Sequence, residues 1–235
     1  MSRVVAIHQP NFFPWLPYFH KMVRADVFVL LDNVQFPKKG GTWINRVQVN
    51  CGGTPSYLTM PVVRAYHGLR EIREMQIDES APWRIKLLKT LQQVYRSAPG
   101  FDAVMPFVEE RVQARADHVA AFNVATLRGL AERLGLGPEK ILLASDFPTS
   151  LVSTERLVHL IKAVGGDTYF SGHGAVDYQE EEVYRHAGIR LVYQDFPHPV
   201  YPQVHRGEFL AGLSILDALF NLGWERTAAL FTASG

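Results

Sequence analysis

The segment at residues 7–22, IHQPNFFPWLPYFHKM, places polar groups that can do chemistry directly after the apolar stretch VVAI. His8 can donate or accept a proton near neutral pH, and the amides of Gln9 and Asn11 both donate and accept hydrogen bonds. The prolines of this segment restrict its backbone, which lowers the entropic cost of ordering it around a ligand. Trp15 could line a pocket for a planar or sugar ring, or it could belong to the core.

A second polar segment, DNVQFPKKGGTWINR at residues 32–46, holds the densest group of cations. Lys38, Lys39 and Arg46 lie on either side of two glycines that let a backbone approach a ligand closely, so the segment could bind a phosphate or carboxylate. An exposed basic turn is the alternative interpretation. The sequence has neither a Walker A loop nor a G-x-G-x-x-G pattern, so no nucleotide-binding motif is indicated.

Three further residue types could act as nucleophiles or bases. Ser171 and His173 lie between glycines in SGHGAVDYQ, but the G-x-S-x-G elbow of a serine nucleophile is absent, which favours a tight loop that offers backbone N–H groups to an anion. Cys51 could be a nucleophile only with a histidine beside it, and a lone cysteine cannot form an internal disulfide. No histidine pair has metal-ligand spacing on a helix, so no metal site is predicted, although His198 and His205 could still meet another ligand in space.

The C-terminal part, HPVYPQVHRGEFLAGLSILDALFNLG, carries another polar group. Tyr201 and Gln203 lie on either side of a proline in an extended segment. Asp217 and Asn221 are four residues apart in a helical pattern, so they share one face among apolar neighbours. Such a pair destabilises the fold unless it is hydrogen-bonded, and we expect it to hold the opening loop in place.

Apolar stretches alternate with helical patterns along the chain, and these elements would position the polar groups. Strands are predicted at residues 4–8, 27–36, 140–147, 167–172 and 189–196, a hairpin at 42–63 around NCGGTP, and a short extra strand at 72–77. The predicted fold class is α/β. We expect one domain over residues 1–235: a Rossmann-like, mostly parallel sheet with an inserted β-hairpin and a helical insertion at residues 81–137.

Ligands of open α/β sheets bind beyond the carboxyl ends of the strands, where the loops converge. His8, Asp32, Ser145, Ser171 and Asp195 lie in the C-terminal parts of five predicted strands, so we expect them along one edge of the sheet. The alternative is that they only cap helices and form turns, as these residue types often do.

Composition limits the classes of protein to which the chain could belong. Its 235 residues are 47% hydrophobic and 20% charged, which is typical of a soluble globular domain with a sizeable core. A net charge of +1 without runs of like charge argues against general nucleic-acid binding. No apolar stretch reaches the length of a membrane span or a signal peptide, so a cytoplasmic location is expected.

The segments HQPNFFPWLPYFHK, DNVQFPKKGGTWINR, TYFSGHGAVDY, HPVYPQ and LSILDALFNLG together resemble the WbqC-like protein family, in order and over nearly the whole chain. Members of this family are associated with O-antigen and other sugar-modifying gene clusters, and the resemblance suggests an aminoacyl transferase. The chain departs from the family pattern by an extra GG in KKGGTWINR and by Val47, where a second Asn is usual. The positions marked by the family pattern are His8, Gln9, Pro10, Lys38, Asn45, Arg46, Ser171, Gly172, Tyr178, Pro199, Tyr201, Gln203, Asp217 and Asn221.

The resemblance implies an enzyme of polysaccharide or natural-product biosynthesis that forms an amide by passing an activated acyl or aminoacyl group to an amino-sugar-like acceptor. The donor would be a carrier-protein thioester or an aminoacyl-tRNA, and no cofactor is predicted. An ATP-dependent ligase or nucleotidylyltransferase and a non-catalytic nucleotide-sugar binding module are the alternatives. We expect His8, Lys38 and Tyr201 to be catalytic; the predicted substrate-binding residues are Gln9, Asn11, Trp15, Asn45, Arg46, Ser171, His173, Tyr178, His198, Gln203 and Asp217.

Overall fold

A computed structural model of the chain describes residues 2–38, 41–172, 180–205 and 207–232. The strands are β1 (Val4–His8), β2 (Val27–Leu30), β3 (Arg46–Cys51), β4 (Thr54–Thr59), β5 (Ile141–Leu143), β6 (Thr168–Ser171) and β7 (Arg190–Tyr193). The helices are α1 (Leu16–Val23), α2 (Trp83–Tyr95), α3 (Phe101–Gln113), α4 (Val119–Arg133), α5 (Ser153–Ala163), α6 (Glu181–His186), α7 (Ile215–Leu222) and α8 (Trp224–Thr232). None of these helices combines the length and the apolar character needed to cross a membrane.

The central sheet has five parallel strands in the order β5-β2-β1-β6-β7. The chain moves outward from β1 through β2 to β5, and then returns to place β6 on the other side of β1. This reversal is the topological switch point of a doubly wound sheet. The predicted α/β class with a mostly parallel sheet is therefore confirmed.

The two faces of the sheet pack into two separate apolar clusters. Ala6 and Phe28 contribute to the larger cluster, which the helical middle of the chain and α7 complete. Val5 and Val29 point to the other face, where residues of α5 and α6 cover them. A strand that is buried on both faces consists of a continuous run of apolar residues, and VVAI and VFVL are recognisable as such runs in the sequence.

The predicted β-hairpin is present as β3 and β4, which pair antiparallel from Arg46 opposite Thr59 to Cys51 opposite Thr54. Its two-residue turn consists of Gly52 and Gly53, with φ angles of 67° and 89° that glycine adopts without strain.

The prediction of a strand at residues 72–77 is wrong. Residues Ile72–Glu74 form a single 3₁₀ turn, followed by isolated bridges at Gln76 and Ile77. The side chains of Glu71 and Glu74 each accept a hydrogen bond from the other's backbone N–H, and this capping box stabilises the turn.

Helices occupy the middle of the chain as predicted, and residues 101–136 contain two of them, α3 and α4. The last helix, α8, was not predicted. It begins directly after Gly223, whose φ of 79° ends α7. Its Phe231 ring stacks on Phe19 of α1 with centroids 6.1 Å apart, so α8 helps to bury α1.

Candidate functional site

The switch point brings the carboxyl ends of β1 and β6 side by side. Val4 is opposite Thr168 and Val5 opposite Tyr169 in the parallel register of these strands. Continuing this register places His8 level with Gly172. Loops diverge on either side of such a point and leave a crevice, which makes it the expected position of a ligand site.

His8 is partly buried at the end of β1 and sits in a defined hydrogen-bonding environment. Its Nδ1 lies 3.1 Å from the carbonyl oxygen of Gln9, which can only accept, so Nδ1 carries the proton and Nε2 is left as an acceptor. Burial, with a smaller contribution from the charge of Lys21, holds the pKa of His8 well below its ordinary value. The imidazole is therefore neutral at pH 7.

A pocket of about 260 Å³ adjoins His8. Asn11 lines it, and the Oδ1 atom of this buried side chain has no hydrogen-bond partner in the part of the chain that the structure describes. The indoles of Trp15 and Trp43 also line the pocket and are 46% and 50% exposed. The remaining lining residues are Phe12, Pro14, Val47, Gln48, Ala211 and Gly212.

The loops around the pocket are tied to one another by backbone hydrogen bonds. The N–H of Phe12 donates to the carbonyl of Trp43 at 2.9 Å, and Trp15 forms an isolated bridge with Ser214. Ser214 donates through Oγ to the carbonyl of Phe13 and through its N–H to that of Gln48. Phe13 itself has a φ of 40°, a strained value for a residue with a side chain. The walls of the pocket are thus held in one arrangement.

Asn123 on α4 hydrogen-bonds two of the segments that surround the pocket. Its Nδ2 donates to the carbonyl oxygens of Pro10 and Ile44, both at 2.7 Å, and the residue is fully buried. One side-chain amide therefore links the opening loop to the segment that precedes β3. The sequence analysis did not mark Asn123, although an amide within an apolar helix needs hydrogen-bond partners.

Lys21 on α1 is the second residue at the switch point that the sequence analysis missed. Its side chain is buried, and Nζ donates to the carbonyl oxygen of Ile7 at 3.0 Å. Burial lowers the pKa of this amine from 10.5 to about 7. No local pattern indicates this burial, because a lysine in a short helix is normally solvated.

Within the predicted cationic segment, the structure defines the contacts of Arg46 and Asn45. The Arg46 guanidinium lies over the ring of Tyr57, 4.2 Å from its centroid. The ring centroids of Tyr57 and Trp43 are 6.5 Å apart. An alanine Cβ at Gly41 would fall 2.0 Å from Cζ of Arg46, so the glycine leaves room for the guanidinium. Asn45 is buried and donates through Nδ2 to the carbonyl of Met60.

The other predicted residues of the two loops are placed as follows. Lys38 is exposed, and its carbonyl accepts a hydrogen bond from Arg64. Lys39, His173 and Tyr178 lie outside the described residues. Ser171 is completely buried at the end of β6, with Oγ 3.5 Å from the carbonyl oxygen of Gly172.

His198 supports the wall of the pocket. Its Nδ1 lies 3.0 Å from the carbonyl oxygen of Pro199, and its Nε2 accepts from the N–H of Gly212 at 3.1 Å. Both bonds require the neutral tautomer that carries its proton on Nδ1. Burial lowers the pKa of the imidazole, which favours this neutral form. His198 therefore positions the backbone of Gly212, which lines the pocket.

Tyr201, Gln203 and Asp217 form a buried network behind the pocket. The carboxylate of Asp217 accepts from Tyr201 and Gln203 on Oδ2 and from Tyr95 of α2 on Oδ1, at distances of 2.7 to 2.9 Å. Asn221 accepts from the N–H of Val204 on the same segment. The Asp217 and Asn221 pair thus fixes residues 201–204 to α7. The expectation that this pair holds the opening loop is wrong, because Ser214 at the start of α7 makes that contact through the carbonyl of Phe13.

The described ranges contain no cluster of three His, Cys, Asp or Glu residues that could hold a metal ion. Cys51 is a free, partly buried cysteine at the end of β3, next to the hairpin turn. It does not line the pocket beside His8.

Comparisons with known proteins identify a family and a relative of similar length. A family model described as the WbqC-like protein family matches residues 9–229. The chain is 28% identical over 225 residues to the uncharacterized protein Rv1507c of Mycobacterium tuberculosis (strain ATCC 25618 / H37Rv), with 95% of each chain covered. No solved structure matches the chain significantly.

Proposed function

The chain belongs to the WbqC-like protein family, and on that premise we propose that it is an amide-forming acyl or aminoacyl transferase whose acceptor resembles an amino sugar. The observation that carries this proposal is the combination of groups in one pocket. His8 brings a neutral imidazole, Asn11 brings an acceptor oxygen without a partner, and two half-exposed indoles bring flat apolar faces.

The indoles of Trp15 and Trp43 suit an acceptor with a ring, because aromatic side chains offer large rigid contact areas at low entropic cost. Several buried amide oxygens lack a partner among the described residues, and Asn11 is the residue of this group that lines the pocket. An N–H or O–H group of the acceptor would satisfy its Oδ1. The pocket volume of about 260 Å³ suits one sugar-sized group rather than a whole nucleotide sugar.

In the proposed reaction the acceptor amine attacks the carbonyl carbon of the activated donor. A C–N bond forms, the bond from the carbonyl to the leaving thiol or hydroxyl breaks, and the amine loses a proton. Nε2 of His8 is the proposed proton acceptor, because His8 lines the pocket and its Nδ1 is occupied by the carbonyl of Gln9. The proton then passes to the leaving group.

We propose direct attack without a covalent acyl-enzyme. The Ser171 hydroxyl is completely buried, and Cys51 lies in the hairpin. We assign Tyr201 to the support of the pocket wall, because its hydroxyl is committed to Asp217. Lys38 and Arg46 lie on segments that flank Trp43 and are proposed to contact the phosphate groups of a carrier arm or a charged tRNA.

The test is a mass-spectrometric search for a new amide. The purified protein is incubated with amino sugars and, in separate reactions, with carrier-protein thioesters, aminoacyl-tRNA, or free amino acids with ATP. His8→Ala is compared with His67→Ala, in which an exposed histidine is removed away from the pocket. An amide that needs a preactivated donor and that disappears only in His8→Ala supports the proposal.

Two other outcomes would replace the proposal. The strand order and the crevice at the switch point also suit a nucleotide-using enzyme. Product formed only with ATP, with release of AMP, would indicate a ligase. A sugar that binds without any product under all donors would indicate a binding module.

A further inference from the structure

Lys21 is a buried cation with one hydrogen-bond partner among the described residues. Its side chain is 3% exposed, and its ammonium group can donate three hydrogen bonds, of which Ile7 accepts one. The described residues place no carboxylate within ion-pair distance of Nζ. Buried lysines are rare unless they are paired, because an unpaired ammonium loses its hydration without compensation.

The position of Lys21 shows where a partner would have to be. Nζ is bound to the carbonyl of Ile7 in β1, and an alanine Cβ at Gly172 would lie 3.8 Å from it. The amine therefore sits between the ends of β1 and β6, at the switch point. Two titratable groups of the described residues lie nearby, and both are neutral: His8 at the end of β1, and Tyr18 on α1, whose ring lies 4.6 Å from that of His8.

We propose that Lys21 is the cationic centre of an anion-binding site at the switch point, and that the ligand of this crevice carries a carboxylate or phosphate group that pairs with Nζ. The anion would accept one or both of the remaining ammonium hydrogen bonds and supply the missing counter-charge. The absence of a side chain at Gly172 lets such a group reach the backbone beside Nζ.

This inference does not depend on acyl transfer. It holds equally if the protein proves to be a ligase or a binding module, because it concerns only the charge of the ligand. It also differs from the contacts proposed for Lys38 and Arg46, which are solvent-accessible, whereas Lys21 is enclosed. The two sites can therefore be tested separately.

The experiment measures thermal unfolding of the full chain at pH 6.5 and constant ionic strength, with chloride replaced stepwise by sulfate or by acetate. Sulfate stands in for a phosphate group and acetate for a carboxylate. The variants are Lys21→Met, Lys21→Arg, and Lys86→Met as the control, in which an exposed lysine on α2 loses its charge. A ligand that binds the folded state raises the melting temperature in proportion to the logarithm of its concentration.

We expect at least one of the two anions to raise the melting temperature of the wild type and of Lys86→Met. We expect Lys21→Met to need at least tenfold more of that anion for the same rise, and Lys21→Arg to retain part of the response. The anion with the stronger effect identifies the class of ligand group. An equal response in Lys21→Met, or no anion effect in the wild type, would overturn the proposal.

If Lys21→Met does not fold, the wild type gives the answer by NMR with lysine labelled at Cε. One lysine signal should titrate near neutral pH, and its pKa should rise when the effective anion is added, because a bound anion stabilises the charged amine. A signal whose titration is unchanged by either anion would equally contradict the proposal.

Discussion

The hydroxyl of Tyr201 donates a hydrogen bond of 2.8 Å to Oδ2 of Asp217, and both residues are buried. Tyr95 of α2 donates to the other carboxylate oxygen at 2.7 Å. A single carboxylate thus connects α7, α2 and the extended segment that leads to Gly212 in the pocket wall. The network explains how residues far from the pocket in sequence can determine its shape.

Replacing Asp217 by alanine should destabilise the protein strongly. The change leaves the hydroxyls of Tyr95 and Tyr201 and the amide of Gln203 buried without their acceptor. We expect the free energy of unfolding to fall by about 3 to 5 kcal/mol in urea titrations. Asp217→Asn keeps the shape and one acceptor oxygen, so about half of that loss is expected; equal losses would show that the carboxylate acts only by filling space.

Gly100 is expected to tolerate no side chain. Its N–H donates to the carbonyl of Phe220, and an alanine Cβ there would lie 2.5 Å from the carbonyl oxygen of Leu219. Gly100→Ala must push α3 away from α7, and we expect a loss of about 3 kcal/mol in unfolding free energy. In the control Gly135→Ala the added Cβ meets no atom within 4 Å, and the φ of 69° alone should cost about 1 kcal/mol.

The strands of the sheet could be predicted because they are apolar runs bounded by polar residues, as at Val4–His8 and Val27–Leu30. Hydrophobic periodicity and two glycines were likewise sufficient for the hairpin. The helix Trp224–Thr232 was missed because Gly223 marks a helix end, and nothing local indicates that a new helix starts at the next residue.

The site could be predicted only where the residue type itself suggests chemistry, as for His8. Lys21 was missed because a lysine in a short helix is normally solvated, and only the tertiary packing of α1 encloses it. Trp43 was missed as a pocket residue because its partner Trp15 is 28 residues away in sequence, and the two share a pocket only through the pairing of their loops.

The buried amine of Lys21 should make stability depend on pH above neutrality. Its pKa is about 7 in the folded protein and near 10.5 when unfolded, so between these values the unfolded chain binds a proton that the folded chain does not. Stability should therefore rise from pH 7 to pH 9, by about 2 kcal/mol in urea titrations, and should not change through this group below pH 7.

The variant Lys21→Met lacks this titration. Its unfolding free energy should rise by about 2 kcal/mol less than that of the wild type over the same pH range, and it should be higher than that of the wild type at pH 7. Burial also lowers the pKa of Lys140. Lys140 contributes equally to the pH dependence of both proteins, so its effect cancels in the difference between their unfolding free energies. Parallel pH profiles would mean that the amine of Lys21 is hydrated in solution.

Replacing Cys51 by serine should leave amide formation within about twofold of the wild-type rate, because the proposed attack by the acceptor amine needs no thiol. Iodoacetamide treatment should likewise have no effect on the rate. The check is intact-protein mass spectrometry after incubation with the donor alone. An acyl adduct on Cys51 that disappears on addition of the acceptor would establish a covalent route instead.

The two indoles of the pocket should affect binding far more than folding. Trp15 and Trp43 are half exposed, so each alanine variant should lose only about 1 kcal/mol of unfolding free energy. If they hold the ring of the acceptor, each variant should raise the acceptor KM at least tenfold and leave the donor KM unchanged. Ile85→Ala, which removes an exposed apolar side chain from α2, is the matched control and should change neither constant. Equal increases in both KM values would instead assign the indoles to the donor or to the general shape of the site, and an unchanged acceptor KM would remove them from it.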